Sequence, residues 1–173
     1  MKSLSIIISL MLLFSFNVSA KQELIDPELS DLKNFQINTD TMVSSGLPNK
    51  KHFQALQNMG VTNVIDLIPG DRTEESMLLK ELKLNYHNIA VDWDNPTLEN
   101  FKKYVALMAK ANDNEEMTLT HCKLNWRGAT FTYLYRVTQL NESEQLAAKD
   151  MLAIWQPNET WQAFIEDVKN EYK

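Results

Sequence analysis

Cys122 is the single cysteine of a 173-residue chain, and it stands in the run Thr120-His121-Cys122-Lys123-Leu124-Asn125-Trp126-Arg127-Gly128-Ala129-Thr130. A strand-like segment, Met117 to Thr120, precedes it, and a helix-like segment from Gly128 to about Leu140 follows. A helix start exposes unpaired backbone N–H groups and the positive end of the helix dipole, and phosphate and related oxyanions are held well there. The N–H groups of Lys123, Leu124, Asn125, Trp126, Arg127 and Gly128 are the candidates for that cradle. A cysteine placed in such a field ionises readily and becomes the nucleophile. Arg127 brings a planar fork that matches two oxygens of a bound phosphate. His121 can hydrogen-bond the loop backbone and steady the sulfur. This set suits in-line attack of sulfur on phosphorus with a covalent intermediate.

Such a reaction also needs an acid for the leaving oxygen and then a base for water. Asp92-Trp93-Asp94, on the loop after a predicted strand, supplies Asp92 and Asp94. Either carboxylate also suits a helix cap or an exposed loop. Thr130 is the nearest hydroxyl after the arginine. Arg72 leaves the carboxyl end of another predicted strand, where it reaches the pocket or simply faces solvent. The three histidines, His52, His87 and His121, pair with no cysteine or carboxylate at metal-ligand spacing, so no metal and no cofactor are expected.

The elements that position these residues follow from pattern and punctuation. Phe35–Asn38 and Met42–Ser45 read as short strands. Asn49 caps a helix from Lys50 to Met59 that Gly60 stops. Val61–Ile68 is a buried strand, a helix runs from Thr73 to about Leu82, and Tyr86–Val91 is another strand. Pro96 or Thr97 opens a helix with Leu98, Phe101, Val105 and Met108 on one face. Two tail helices span about Ser143–Trp155 and Glu159–Tyr172. Alternating strands and helices predict an α/β domain with a central, largely parallel sheet flanked by helices. Ligands bind such sheets at the carboxyl ends of the strands, which both the cysteine loop and the Asp92 loop leave.

Lys2, the apolar run Leu4–Phe16 and the small residues Val18-Ser19-Ala20 form the pattern of a secretory signal peptide over residues 1–20. Residues 21–34 then form an N-terminal arm and 35–173 the domain, exported and periplasmic, without stable membrane insertion after cleavage. Losing Lys2 takes the formal net charge from −6 to −7, which argues against nucleic acid as a partner. One thiol can form no internal disulfide, although exported domains of this size often carry them.

The His121-Cys122 pair followed by Arg127 at a helix start resembles the signature of the cysteine-dependent protein-tyrosine and dual-specificity phosphatases. The resemblance extends from about Phe35 to Val137. It includes Ser44-Ser45-Gly46-Leu47-Pro48 and Met59-Gly60-Val61-Thr62-Asn63-Val64-Ile65-Asp66-Leu67, and it is closest to a bacterial, phosphatase-like branch. It implies a dual-specificity-phosphatase-like fold and a phosphorylated small molecule or phosphoprotein as substrate. It further implies Cys122 as nucleophile, Arg127 as phosphate clamp, His121 as support for the thiolate and Asp92, ahead of Asp94, as general acid.

Two departures qualify what the resemblance implies. The family places five residues between cysteine and arginine; here Lys123, Leu124, Asn125 and Trp126 are four. Deleting one residue at a helix start turns the arginine by about 100°. The hydroxyl usually found after the arginine is replaced by Gly128, and the mid-loop glycine by Asn125, the next most tolerant residue for a left-handed backbone. The short loop leaves open a domain that binds anions with little or no turnover. It also leaves open a rhodanese-type sulfurtransferase, since many loops of that family share this spacing.

Overall fold

The computed structural model describes residues 26–114 and 116–173, so the expected signal peptide lies outside the described residues. Five strands form one sheet: β1 (Gln36–Thr39), β2 (Met42–Ser45), β3 (Val61–Asp66), β4 (Asn85–Asn88) and β5 (Met117–His121). Their order is β1-β2-β5-β3-β4. Only β1 and β2 pair antiparallel; β2–β5, β5–β3 and β3–β4 are parallel. The chain is therefore an α/β domain of the expected class, and β5 lies at the sheet's centre.

Among the described residues, six helices cover the two faces: α1 (Lys50–Met59), α2 (Thr73–Glu81), α3 (Leu98–Asp113), α4 (Trp126–Thr138), α5 (Glu144–Ile154) and α6 (Glu159–Glu171). Helix α1 starts on a reciprocal cap, Asn49 Oδ1 accepting the His52 N–H and the Asn49 N–H donating to His52 Nδ1, each at 3.1 Å. It stops at Gly60, whose φ of 113° is left-handed. Helix α3 opens on the same kind of cap between Thr97 and Asn100. Phe101, Tyr104, Met108 and Ala111 then recur at helical spacing and are buried.

On one face, α1, α2 and the 3-10 turn Pro27–Leu29 bury Phe53, Leu56, Leu79, Leu29 and Leu32 against Val43, Val64 and Leu119. On the other, α3 to α6 bury Phe101, Tyr104, Phe131, Trp161 and Phe164. Every residue of α4 from Arg127 to Arg136 is buried, because this helix lies between the sheet and the tail helices.

Three of the boundaries that differ from the sequence reading bear on the site. β3 ends at Asp66 rather than Ile68, because the Asp66 carboxylate accepts the Ile68 N–H at 2.8 Å and curls the chain. β4 ends at Asn88 rather than Val91, where Asn88 Nδ2 donates to the carbonyls of Asp66 and Ile68. Helix α4 begins two residues early, at Trp126, which places Arg127 inside its first turn.

Candidate active site

The loop after β5 is fixed from one side. The Cys122 N–H donates to the Ser45 carbonyl (3.3 Å), and the Lys123 carbonyl accepts the Leu47 N–H (3.3 Å). The Leu124 carbonyl accepts from Asn34 Nδ2 at 2.9 Å. Asn125 takes φ 65°, ψ 7°, the left-handed conformation that its residue type permits. Its buried side chain donates to the Asn34 carbonyl (2.7 Å) and to Ser44 Oγ (3.0 Å). The first intrahelical bond of α4 is Ala129 N–H to Asn125 C=O, 2.8 Å. Among the described residues, no protein acceptor takes the N–H of Lys123, Leu124, Trp126, Arg127 or Gly128. The loop thus has its carbonyls committed and its donors unspent, the polarity an oxyanion requires.

Gly128 is a steric consequence of this anchor. A Cβ at that position would collide with Asn125 Oδ1 and lie 3.3 Å from the Thr120 carbonyl. The hydroxyl residue usual after the arginine is excluded while Asn125 holds the loop.

The structure brings Cys122, Lys123, Leu124, Trp126 and Arg127 around one cavity of about 170 Å³, with Trp93 from the Asp92 loop as a sixth wall. The four-residue spacing therefore leaves Arg127 facing the same space as the sulfur. Its guanidinium lies over the Trp93 ring, 5.5 Å from the centroid. Arg127 is 9% exposed, its Nε has no partner, and no carboxylate pairs with it among the described residues. A cation–π contact contributes about 0.5–2 kcal/mol, less than the several kcal/mol that burying an unpaired charge costs. A bound anion would offset the difference.

All four tryptophans of the chain meet at this wall. The Trp93 ring is 5.5, 5.4 and 5.3 Å from those of Trp126, Trp155 and Trp161. Trp126 stacks on Trp155 at 5.4 Å and 7°. Trp161 Nε1 donates to the Trp93 carbonyl at 3.0 Å. The tail helices thus fix the loop that carries Asp92. The sequence reading gave the two tail helices no part in the site and missed this role.

The remaining candidates lie elsewhere. Asp92 and Asp94 are exposed, and Asp92 Oδ1 accepts the Asp94 N–H at 2.9 Å in a local turn. Neither carboxylate lines the cavity. The Thr130 hydroxyl donates to the Trp126 carbonyl (3.0 Å) and accepts from Trp155 Nε1 (3.3 Å), so it serves the helix and the tryptophan wall. Arg72 does not enter the pocket. Its Nε donates to Asp66 Oδ2 (2.6 Å) and its terminal nitrogen to Glu75 Oε2 (2.5 Å). Burial alone would lower its pKa, but the hydrogen bond and charge of Asp66, with Glu75, raise it overall.

His121 also differs from expectation. Among the described residues it makes no hydrogen bond to the loop backbone. Its fully buried ring lies under the sheet end, Nε2 3.0 Å from Glu75 Oε1 and 3.9 Å from Asp66 Oδ1. The 3.0 Å approach is close enough for a hydrogen bond but is not aligned as one. Asp66, Glu75 and His121 are the three described side chains that could jointly hold a metal ion. The expectation that no histidine meets carboxylates was drawn from spacing along the chain, and folding brings β3, α2 and β5 together here. Arg72 already takes the outer oxygen of each carboxylate.

No family model matches the chain, and none of the curated proteins does. Solved structures do. The Shewanella putrefaciens CN-32 protein described as "Putative phosphatase (DUF442)" is 30% identical, with a TM-score of 0.73 over 84% of this chain and 97% of its own. The chain belongs to this DUF442 family. TpbA of P. aeruginosa is 21% identical, TM-score 0.65, over 80% of this chain and 88% of its own. PTPMT1 is 21% identical, TM-score 0.68, over 80% and 95%. These more distant neighbours show that the chain has the dual-specificity-phosphatase-like fold.

Proposed function

We propose that this protein is an exported, periplasmic hydrolase of phosphate monoesters that works through a phosphocysteine on Cys122. The observation that carries the reading is the buried, carboxylate-free Arg127 guanidinium on the same cavity as Cys122, at a helix start whose N–H groups have no protein acceptor. The substrate phosphate sits on those N–H groups and Arg127. The Cys122 thiolate attacks phosphorus, the P–O ester bond breaks, and the leaving oxygen takes a proton from Asp92. Water then attacks the S–P bond, with Asp92 as base, and releases inorganic phosphate and the thiolate.

This route requires the Asp92 carboxylate to leave its turn with Asp94 and face the cavity. Trp93, one residue on, already forms the wall. The cavity is small, and its exposed rim includes Leu124, 40% exposed. These features favour one phosphate on an apolar or aromatic body. Neighbours of the same fold have been captured with phosphotyrosine, for a variant of TpbA, and with PI(5)P, for PTPMT1. A second reading, anion binding with little turnover, draws on the absence of a carboxylate from the cavity lining.

Hydrolysis of an aryl phosphate by purified mature protein, beside Cys122→Ser, decides between them. Turnover abolished by the substitution supports the hydrolase. A folded wild-type protein that binds vanadate without turning over phosphate leaves the binding module.

A further inference from the structure

Under the C-terminal end of α3 the sheet carries a polar row, where a helix-covered face calls for apolar side chains. Thr118 (β5), Asn63 (β3) and Asn85 (β4) are register partners on three adjacent strands, so their side chains lie on one face. Asn63 and Thr118 are buried, Thr118 to 1% exposure. The row is bonded over part of its length. Asn85 Nδ2 donates to Asn63 Oδ1 at 3.1 Å, and Asn63 Nδ2 donates to Glu116 Oε2 at 2.7 Å. The bonding stops at Thr118, whose buried hydroxyl has no partner among the described residues.

A cavity of about 180 Å³ lies over this row. Leu107 and Ala111 of α3 supply its apolar wall, and Lys110, His87 and Glu116 add polar groups. It shares no residue with the Cys122 cavity. Thr118 stands four residues before Cys122, about 13 Å of extended chain.

Three groups of the lining are unspent. The Thr118 hydroxyl can donate or accept, and leaving it bare in a buried place is costly. Glu116 bonds through Oε2 alone, so Oε1 can still accept. On α3, Lys102 and Lys103 are paired with Glu171 and Glu99, whereas Lys110 has no carboxylate partner among the described residues. Burial, and then the charge of Lys110, lower the pKa of His87 from 6.5, so the ring is neutral at pH 7 and adds no charge.

The lining therefore presents one free cation and one free carboxylate oxygen. A plain anion meets the charge of Glu116, and a plain cation meets that of Lys110. A sugar would find no Trp, Tyr or Phe to stack on. A small molecule that carries both charges satisfies both groups. We propose that this cavity binds a free amino acid with a small side chain: its ammonium on Glu116 Oε1 and the Thr118 hydroxyl, its carboxylate on Lys110, and its side chain against Leu107 and Ala111. The site is independent of the chemistry proposed for Cys122.

The test is thermal melting of the full mature protein with each standard amino acid in turn. At a tenfold excess over Kd, a small one raises the melting temperature by about 3–6 °C. Calorimetry then compares that amino acid with the amine lacking its carboxylate and the acid lacking its ammonium, each of which binds at least about tenfold more weakly. Thr118→Val removes a hydroxyl that bonds nothing in the protein, so the free variant melts no lower than wild type, yet it binds about tenfold more weakly. Lys110→Met changes an exposed residue and weakens binding to a similar degree, which keeps the test available if Thr118→Val fails to fold. Arg127→Ala binds as wild type does.

Four results overturn the proposal. No amino acid shifts the melting temperature, so the cavity holds water alone. The amine, the acid or glucose shifts it as much as the amino acid does. Thr118→Val and Lys110→Met bind as tightly as wild type. Binding is lost in Arg127→Ala, which places the amino acid at the cysteine loop instead.

Discussion

Asn125 is the residue that makes a loop with four intervening residues workable, and its removal has a calculable cost. Asn125→Ala deletes two donors and leaves the Asn34 carbonyl and Ser44 Oγ with one partner fewer in a buried place. Each lost bond, with its partner left short in a buried place, costs about 1–2 kcal/mol. Alanine at φ 65° adds roughly 1 kcal/mol of left-handed strain. The sum is about 3–5 kcal/mol. A domain of this size loses roughly 2–4 °C of melting temperature per kcal/mol, so the drop is roughly 6–20 °C.

Asn125→Asp separates the causes. It keeps the size and the left-handed tolerance, but it turns an acceptor towards the Asn34 carbonyl. It should lose at least about 2 kcal/mol. Urea titration and thermal melts measure both. If both variants lie within about 1 kcal/mol of wild type, the anchor described for this loop is wrong.

Other consequences are equally open to measurement. Gly128→Ser introduces the hydroxyl usual in the phosphatases this loop resembles, yet it should destabilise by about 1–3 kcal/mol through the collision with Asn125 Oδ1. A stable, faster Gly128→Ser enzyme would contradict that. Arg127→Ala should weaken vanadate or phosphate binding by about 100-fold in calorimetry, the loss of two charge-assisted bonds, with Arg127→Lys intermediate. Equal affinity would show that the guanidinium does not meet the anion. Glu142 is bonded twice by Arg136, at 2.7 and 2.6 Å, and that contact holds its carboxyl below the ordinary value of 4.5. A depressed carboxyl stabilises the fold above about pH 4.5 and stops doing so as pH falls through the folded value. Glu142→Gln should therefore lower the melting temperature at neutral pH, and the gap should close in acid.

Much of this fold was legible because its signals are local. Asn49 and Gly60 mark the ends of α1, Thr97 caps α3, and the tolerance of asparagine for positive φ suits Asn125 to its place in the loop. Spacing showed the short loop but not its remedy. Helix α4 starts at Trp126, two residues before the expected Gly128, and Arg127 then faces the cavity from its first turn. What was not legible depends on tertiary meetings. The Glu75–His121 contact joins α2 to β5, and the tryptophan wall requires α5 and α6 to dock on the Asp92 loop. The coupling of Gly128 to Asn125 is a matter of less than one side chain's width, below what residue type and periodicity convey.

If Cys122 carries the phosphoryl group during turnover, the adduct can be trapped on it. The direct measurement is mass spectrometry of the acid-quenched protein during reaction with an aryl phosphate, and in parallel after exposure to thiosulfate. The expected result is a phosphate adduct on the Cys122 peptide in the first sample, absent from Cys122→Ser, and an unmodified thiol in the second. A persulfide on Cys122 after thiosulfate, with no phosphate adduct from the ester, would contradict it and assign the loop to sulfur transfer.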